Sequence, residues 1–284
     1  MAIAPAVSVV SPATVGPMNP PGSGALVVKR LGPRSLVTRA FATSPLRLLL
    51  PRNHGRAAWI YTSTYGGGLV DGDAVRLDVE IGPDAAAFLA TQSATKVYRS
   101  PRGTSMSMIA RVGERGLLVA APDPVVCFRG ASYRQDQRIE LADTSGLVFI
   151  DWLTSGRHAA GERWSFDRYA SRLAIWRCGR RVLLDALTLD AAGLASRMGR
   201  FDVALTAVVL GTALAPHADA VLARVAGTPI ARRARLLVGA SAIAGGGCLL
   251  RMMGTSVEDV SRAAREHLSF VPALLGDDPW SRKW

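Results

Sequence analysis

Between residues 75 and 184 the chain repeats one local pattern, a short apolar run followed by a turn rich in Gly, Pro or Asp. Val75, Leu77, Val79 and Ile81 alternate with Arg76, Asp78 and Glu80, the period-two signature of a half-buried strand, and Pro83-Asp84 ends it. Met106, Met108, Ala110 and Val112 alternate up to a turn at Gly113-Glu114-Arg115-Gly116. The run 117–121 stops at Pro122-Asp123-Pro124 and resumes over 125–128. Tyr133, Gln135, Gln137, Ile139 and Leu141 hold one face as far as the turn at 143–146. Residues 147–153, Trp164 with Phe166, Leu173 with Ile175, and 182–184 complete the series. Strands spaced this regularly, with no helical stretch among them, predict a mainly β body. The pattern does not fix their order.

The flanks differ. Residues 1–24 are rich in Pro, Ser, Ala and Gly without periodicity and are expected to form a flexible tail. Short apolar runs at 25–29 and 46–50 read as strands or covered extended segments. After about residue 190 the pattern changes. Residues 202–210 read as a strand, and 215–226 as a helix with Ala218, Val221, Leu222 and Val225 on one face. Residues 236–241 and 248–252 read as a strand pair across Gly245-Gly246-Gly247. Ser256 is placed as an N-cap, with Glu258 and Asp259 where the helix dipole favours acids. The expected organisation is one domain over 25–284: a β-rich body at 25–190 and an α/β layer with two helices packed on it at 191–284.

Composition excludes more than it selects. The net charge of +12 invites a nucleic-acid reading, but only Lys29, Lys96 and Lys283 are lysines and the arginines are dispersed. A basic β-rich nucleic-acid-binding protein is kept as the alternative, with acidic protein partners the better use of the charge. Cys127, Cys178 and Cys248 are odd in number and far apart, which fits a reducing, cytoplasmic setting. His54, His158, His217 and His267 form no metal-ligand spacing. The longest uncharged stretch, 236–250, is too short to span a membrane.

The segment 62–100, TSTYGGGLVDGDAVRLDVEIGPDAAAFLATQSATKVYRS, is the most individual part of the chain. Its glycines call for positive φ, close backbone approach or bared N–H groups. Gly72 is followed by Asp73 rather than Lys, and a strand follows, so neither a P-loop nor a dinucleotide loop fits. Asp71/Asp73 and Asp136/Glu140 are carboxylate pairs that turn chemistry and surface charge explain. No nucleophile–base pair is legible, and no enzyme is predicted.

GGGLVDGD, the strand 75–81 and then QSATKVYRS together resemble the core signature of the urease accessory protein UreD family, called UreH in some organisms. PDPVVCF at 122–128 with Tyr133-Arg134-Gln135, WLTSGRHAAGERW at 152–164, Arg251-Met252-Met253-Gly254 and a terminal Trp284 are similar to further blocks of that family, in order. The departures are Thr64-Tyr65, where an Asn-Pro-like pair is usual, and Asp71, where a small residue is common. The resemblance implies a helical stack of β-strands, β-helix-like, with two helices. It implies a non-catalytic scaffold that binds apo-urease and UreF, with the GTPase UreG reaching it through UreF, and no permanently bound cofactor. Nickel in transit would use weak oxygen ligands. Asp73, Asp151 and Glu162, acids inside the family-like blocks, are the candidate lining of such a path. Gly66, Gly67, Gly68, Gly72, Gln92, Lys96, Tyr98, Arg99, Gly156 and Arg157 are the signature residues carried over as structural. No membrane partner is implied.

Overall fold

The structure, a computed structural model, describes residues 19–52 and 55–281. Residues 1–18 of the expected tail, His54 and Trp284 lie outside the described residues. In chain order the strands are β1 (Ser23–Leu31), β2 (Arg34–Ala42), β3 (Leu46–Leu49), β4 (Ala58–Thr64), β5 (Ala74–Ile81), β6 (Ala86–Thr91) and β7 (Thr95–Val97). There follow β8 (Thr104–Val112), β9 (Leu117–Ala120), β10 (Val125–Cys127), β11 (Ser132–Leu141), β12 (Gly146–Thr154), β13 (Arg168–Arg177) and β14 (Arg180–Asp190). The remainder is α1 (Leu194–Met198), β15 (Val203–Leu210), α2 (Ala215–Ala226), β16 (Leu236–Ile243), β17 (Gly247–Gly254), α3 (Val257–His267) and α4 (Val271–Leu275).

The strands make two sheets. One runs β14-β13-β11-β8-β5-β1-β2, and the other β16-β17-β15-β12-β9-β6-β4-β3 with the short β7 and β10 attached through β12. From β4 to β13 the chain passes back and forth between the sheets, and β1, β5, β8, β11 and β13 run parallel. So do β4, β6, β9 and β12. Antiparallel partners close the edges, β2 and β14 on the first sheet and β3, β15, β17 and β16 on the second.

Burial explains the two kinds of apolar pattern. The first sheet buries one face only, so β5 alternates, with Val75, Leu77, Val79 and Ile81 inside and Arg76, Asp78 and Glu80 outside. The second sheet is covered on both faces, and all six residues of β6 are buried. Ala87 and Leu89 face the core between the sheets, while Ala86, Phe88 and Ala90 face a second core under the helices. That outer core takes Ala218 and Val221 of α2, Val260 and Ala264 of α3, and Val271 and Leu275 of α4. Ser256 caps α3 by accepting the Asp259 N–H at 3.1 Å.

The mainly β body, the hairpin β16–β17, and helices α2 and α3 match the expectations from sequence. Four differences stand out. There are four helices among the described residues, because α1 and α4 are five-residue turns too short to show a periodic face. Trp164 and Phe166 are buried in irregular chain rather than a strand, with Trp164 at φ +52° and its indole N–H donating to the Phe201 carbonyl. Strands β2 and β4 were not anticipated. Finally β1 opens at Ser23, inside the stretch expected as tail.

Candidate functional site

The signature residues are dispersed in sequence, and strand pairing gathers most of them into one strip. After β4 the chain makes a tight turn over Tyr65–Gly67, in which Gly66 and Gly67 take φ of +80° and +72°. Gly68 is extended, and its small size serves close approach: a Cβ there would sit 2.6 Å from the Tyr98 ring and 2.8 Å from the Lys96 carbonyl oxygen. The Leu69 N–H donates to that carbonyl at 2.8 Å, and the Tyr98 N–H donates to the Leu69 carbonyl at 3.0 Å. β7 in turn pairs with β10, so Tyr98 meets Phe128 edge-on at 5.1 Å. The exposed Arg99 packs its stem near Gly130. Gln92 is exposed and joins this region through its backbone N–H to the Thr62 carbonyl.

The strip continues into the loop after β12. Gly156 lies at φ +117° with the carbonyls of Cys127 and Glu162 where a Cβ would press at 3.2 Å. Arg157 lays its guanidinium over Phe128 at 4.2 Å and forks onto Glu162 at 3.0 and 2.5 Å. Glu162 is 7% exposed and also accepts the Arg129 backbone N–H. Arg157 is the main reason that its carboxyl titrates below the usual range.

Asp73 serves the glycine turn. Its carboxylate accepts the Val70 N–H at 2.8 Å, and the Gly72 N–H, at φ +89°, donates to the Gly103 carbonyl. Asp71 is clamped by Arg102 through side chain and backbone at 2.8 Å, which holds its carboxyl low. Neither acid is free for acid–base work. Asp136 and Glu140 are likewise engaged, by Arg172 and by Arg111 and Arg138 on the open face of the first sheet.

Asp151 is different. It shares the face of Phe149 and Leu153 on β12 and so points between the sheets. There its carboxylate accepts Gln135 Nε2 of β11 at 2.5 Å and Ser171 Oγ of β13 at 3.0 Å. Gln135 also reaches the hydroxyls of Tyr169 and Ser171 at 2.9 Å, and Tyr133 donates to its amide oxygen at 3.4 Å. Although residue 151 keeps some exposed surface, its carboxylate has no ion-pair partner among the described residues. Burial, with the charge of Asp185 behind it, raises its pKa. One residue pair along β11, the Gln137 amide oxygen is buried with no hydrogen-bond partner. The inter-sheet core therefore contains an oxygen-rich hydrogen-bonded cluster around one acid.

The three candidate acids thus occupy three settings. Asp73 closes a turn, Glu162 anchors an arginine, and Asp151 lies in a polar core. Sequence reasoning missed the companions of Asp151. Gln135 was visible as a polar residue on a buried face, whereas Tyr169 and Ser171 meet it only through the parallel pairing of β11 with β13. No group of three or more His, Cys, Asp or Glu able to hold a metal ion occurs among the described residues, and none of their helices is long and apolar enough to cross a membrane.

Residues 21–284 match the family described as UreD urease accessory protein. The chain is 52% identical over 265 residues to a protein named urease accessory protein UreD from Sorangium cellulosum, covering 93% of this chain and 84% of the relative. It is 44% identical over 266 residues to the UreD of an Anaeromyxobacter species, covering 92% and 89%. Similarity extends to plants: urease accessory protein D of rice is 39% identical over 201 residues, covering 68% of this chain and 66% of that one. The blocks that packing gathers into one strip, 66–73, 92–100, 122–128 and 156–162, all lie within the matched span, and the chain belongs to the UreD urease accessory protein family.

Proposed function

We propose that this chain is a non-catalytic, cytoplasmic scaffold for urease maturation. It binds apo-urease and UreF, meets UreG through UreF, and helps nickel reach the urease active site. The observation that carries this reading is the strip itself. The family-signature residues Gly68, Tyr98, Gly156 and Arg157 are spent on joining three loops to one another, with the Arg157 guanidinium held by Glu162 and Phe128. That is the work of a platform. The ion-paired arginines on the open face of the first sheet, engaged by Asp136, Glu140 and Asp190, speak against a phosphate-tracking surface. The alternating passage of the chain between two parallel-stranded sheets reads as the helical stack of strands that the resemblance implies, with 25–284 as one domain.

Among the three acids, Asp151 is the one suited to an ion in transit. A carboxylate with amide and hydroxyl oxygens offers weak, hard ligands that release Ni²⁺ readily, whereas Glu162 is neutralised by Arg157 and Asp73 is occupied by a backbone N–H. The experiment is single replacement of Asp73, Asp151 and Glu162 by alanine, reading urease-bound nickel alongside the amount of this chain. Asp151→Ala should lower nickel loading with the chain intact, while Glu162→Ala should act through loss of the folded chain. Full nickel loading by intact Asp151→Ala would remove this acid from the route.

A further inference from the structure

We propose that the turn after β4 and the groove beside it form a docking surface for an acidic protein segment carrying an apolar side chain. The proposal rests on the scaffold reading above and names the chemistry of one partner. Tyr65, Val70 and Leu50 are 57%, 53% and 47% exposed. Tyr65 and Leu50 line one open groove of about 550 Å³ with Phe41, Leu48 and Arg47, and Val70 lies three residues beyond the glycine turn that Tyr65 begins. Isolated exposed apolar side chains are ordinary, but three around one turn and groove mark a contact surface.

The turn is rigid yet bare. No described residue lies within 4 Å of where a Cβ at Gly66 or Gly67 would be, so the described part of the chain leaves the turn uncovered. Bonds from the Tyr65 N–H to the Pro45 carbonyl, from the Leu69 N–H to the Lys96 carbonyl and from the Val70 N–H to the Asp73 carboxylate nevertheless hold the chain on both sides of it. A surface held in place before binding loses little conformational entropy when a partner arrives.

Charge selects the occupant. Arg47 stacks on the Tyr65 ring at 4.8 Å, Lys96 abuts Gly68, and Arg99 follows Tyr98. Among the described residues none of these three cations has a carboxylate partner, in contrast to the paired arginines of the open sheet face. Asp71, whose carboxyl feels the charge of Arg99, is hydrogen-bonded by Arg102 instead. An apolar centre with an aromatic–arginine stack and a rim of unpaired cations fits a protein segment with an apolar anchor flanked by carboxylates.

The test uses the full chain, tagged and co-expressed with the urease subunits and the other accessory proteins, in lysate with and without nuclease treatment, at low and high salt. Variants are Tyr65→Ser with Val70→Ser, Arg47→Glu with Lys96→Glu and Arg99→Glu, the conservative Tyr65→Phe, and Ile230→Ser as an exposed apolar control 79% open to solvent. The expected result is that one and the same protein is lost about tenfold or more in the first two variants. It should be retained by Tyr65→Phe and Ile230→Ser, and its retention by the unaltered chain should weaken with salt. Retention of every partner by both disrupting variants, release by nuclease, or a salt-insensitive complex overturns the surface while leaving the scaffold reading in place. An unaltered chain that retains no partner overturns both.

Discussion

Gly68 should tolerate no side chain, and for a different reason from its neighbours. In Gly68→Ala the new Cβ would meet the Tyr98 ring at 2.6 Å and the Lys96 carbonyl oxygen at 2.8 Å. The φ of 171° is ordinary extended backbone, so the penalty is contact alone. The ring must retreat by about 0.8 Å to reach ordinary separation, and the carbonyl cannot retreat without stretching its 2.8 Å bond from the Leu69 N–H. Overpacking of this kind costs about 1–3 kcal/mol. At about 2–4 °C per kcal/mol for a chain of this size, the melting temperature should fall by roughly 2–12 °C. Gly66→Ala meets open space and carries only a left-handed backbone penalty of about 1–2 kcal/mol. The discriminating assay is thermal unfolding followed by circular dichroism in a double-mutant cycle with Tyr98→Ala. Removing the ring should relieve part of the Gly68→Ala loss, giving a sub-additive pair, whereas Gly66→Ala should add to within about 0.5 kcal/mol. A Gly68→Ala chain that melts with the unaltered protein, or equal coupling for both glycines, would refute the close-approach argument.

Two carboxyls should give stability opposite pH slopes. Asp151 has a folded pKa raised above its unfolded value, so its contribution is fully present below the unfolded pKa and is lost as pH rises through the folded one. Asp151→Asn should therefore gain on the unaltered chain between acidic and neutral pH; a constant difference in melting temperature over that range would contradict the burial argument. Glu162 has a lowered folded pKa, so its contribution is present above the unfolded value and disappears as pH falls through the folded one. Glu162→Gln should accordingly flatten the acid side of the stability profile, and an unchanged acid limb would show that the Arg157 fork matters little. Arg177 donates to the carbonyls of Asp143 and Gly245 and to the Thr212 hydroxyl, riveting the end of β13 to the helical layer. Arg177→Ala should cost roughly 3 kcal/mol in chemical denaturation, and a midpoint within error of the parent would place the rivet elsewhere.

How much was legible depended on whether a residue's setting is local. β5 was readable because one face is open to water, which leaves Arg76, Asp78 and Glu80 to mark the period. The capped α3 was readable because Ser256, Glu258 and Asp259 are neighbours in sequence. β4 was hidden because its first half is engaged on both faces, Ala58 and Ile60 in one core and Trp59 in the other, and its second half, Thr62, Ser63 and Thr64, is uniformly polar, so neither half shows an alternation. β2 was hidden for the opposite reason: at the sheet edge its side chains are mostly exposed and its apolar period is diluted. The candidate acids show the same division. That Asp73 would serve a turn followed from its flanking glycines. That Asp151 would gather Gln135 and Ser171, 16 and 20 residues away, depended on two sheets facing one another in a register that no local pattern encodes.

The central claim is tested most directly by expressing the urease operon with and without this chain and measuring urease-bound nickel together with urease protein. The account predicts that nickel and activity collapse when the chain is omitted while the urease subunits stay abundant, and that both return when it is supplied again. Nickel-loaded, active urease in the absence of this chain would contradict it.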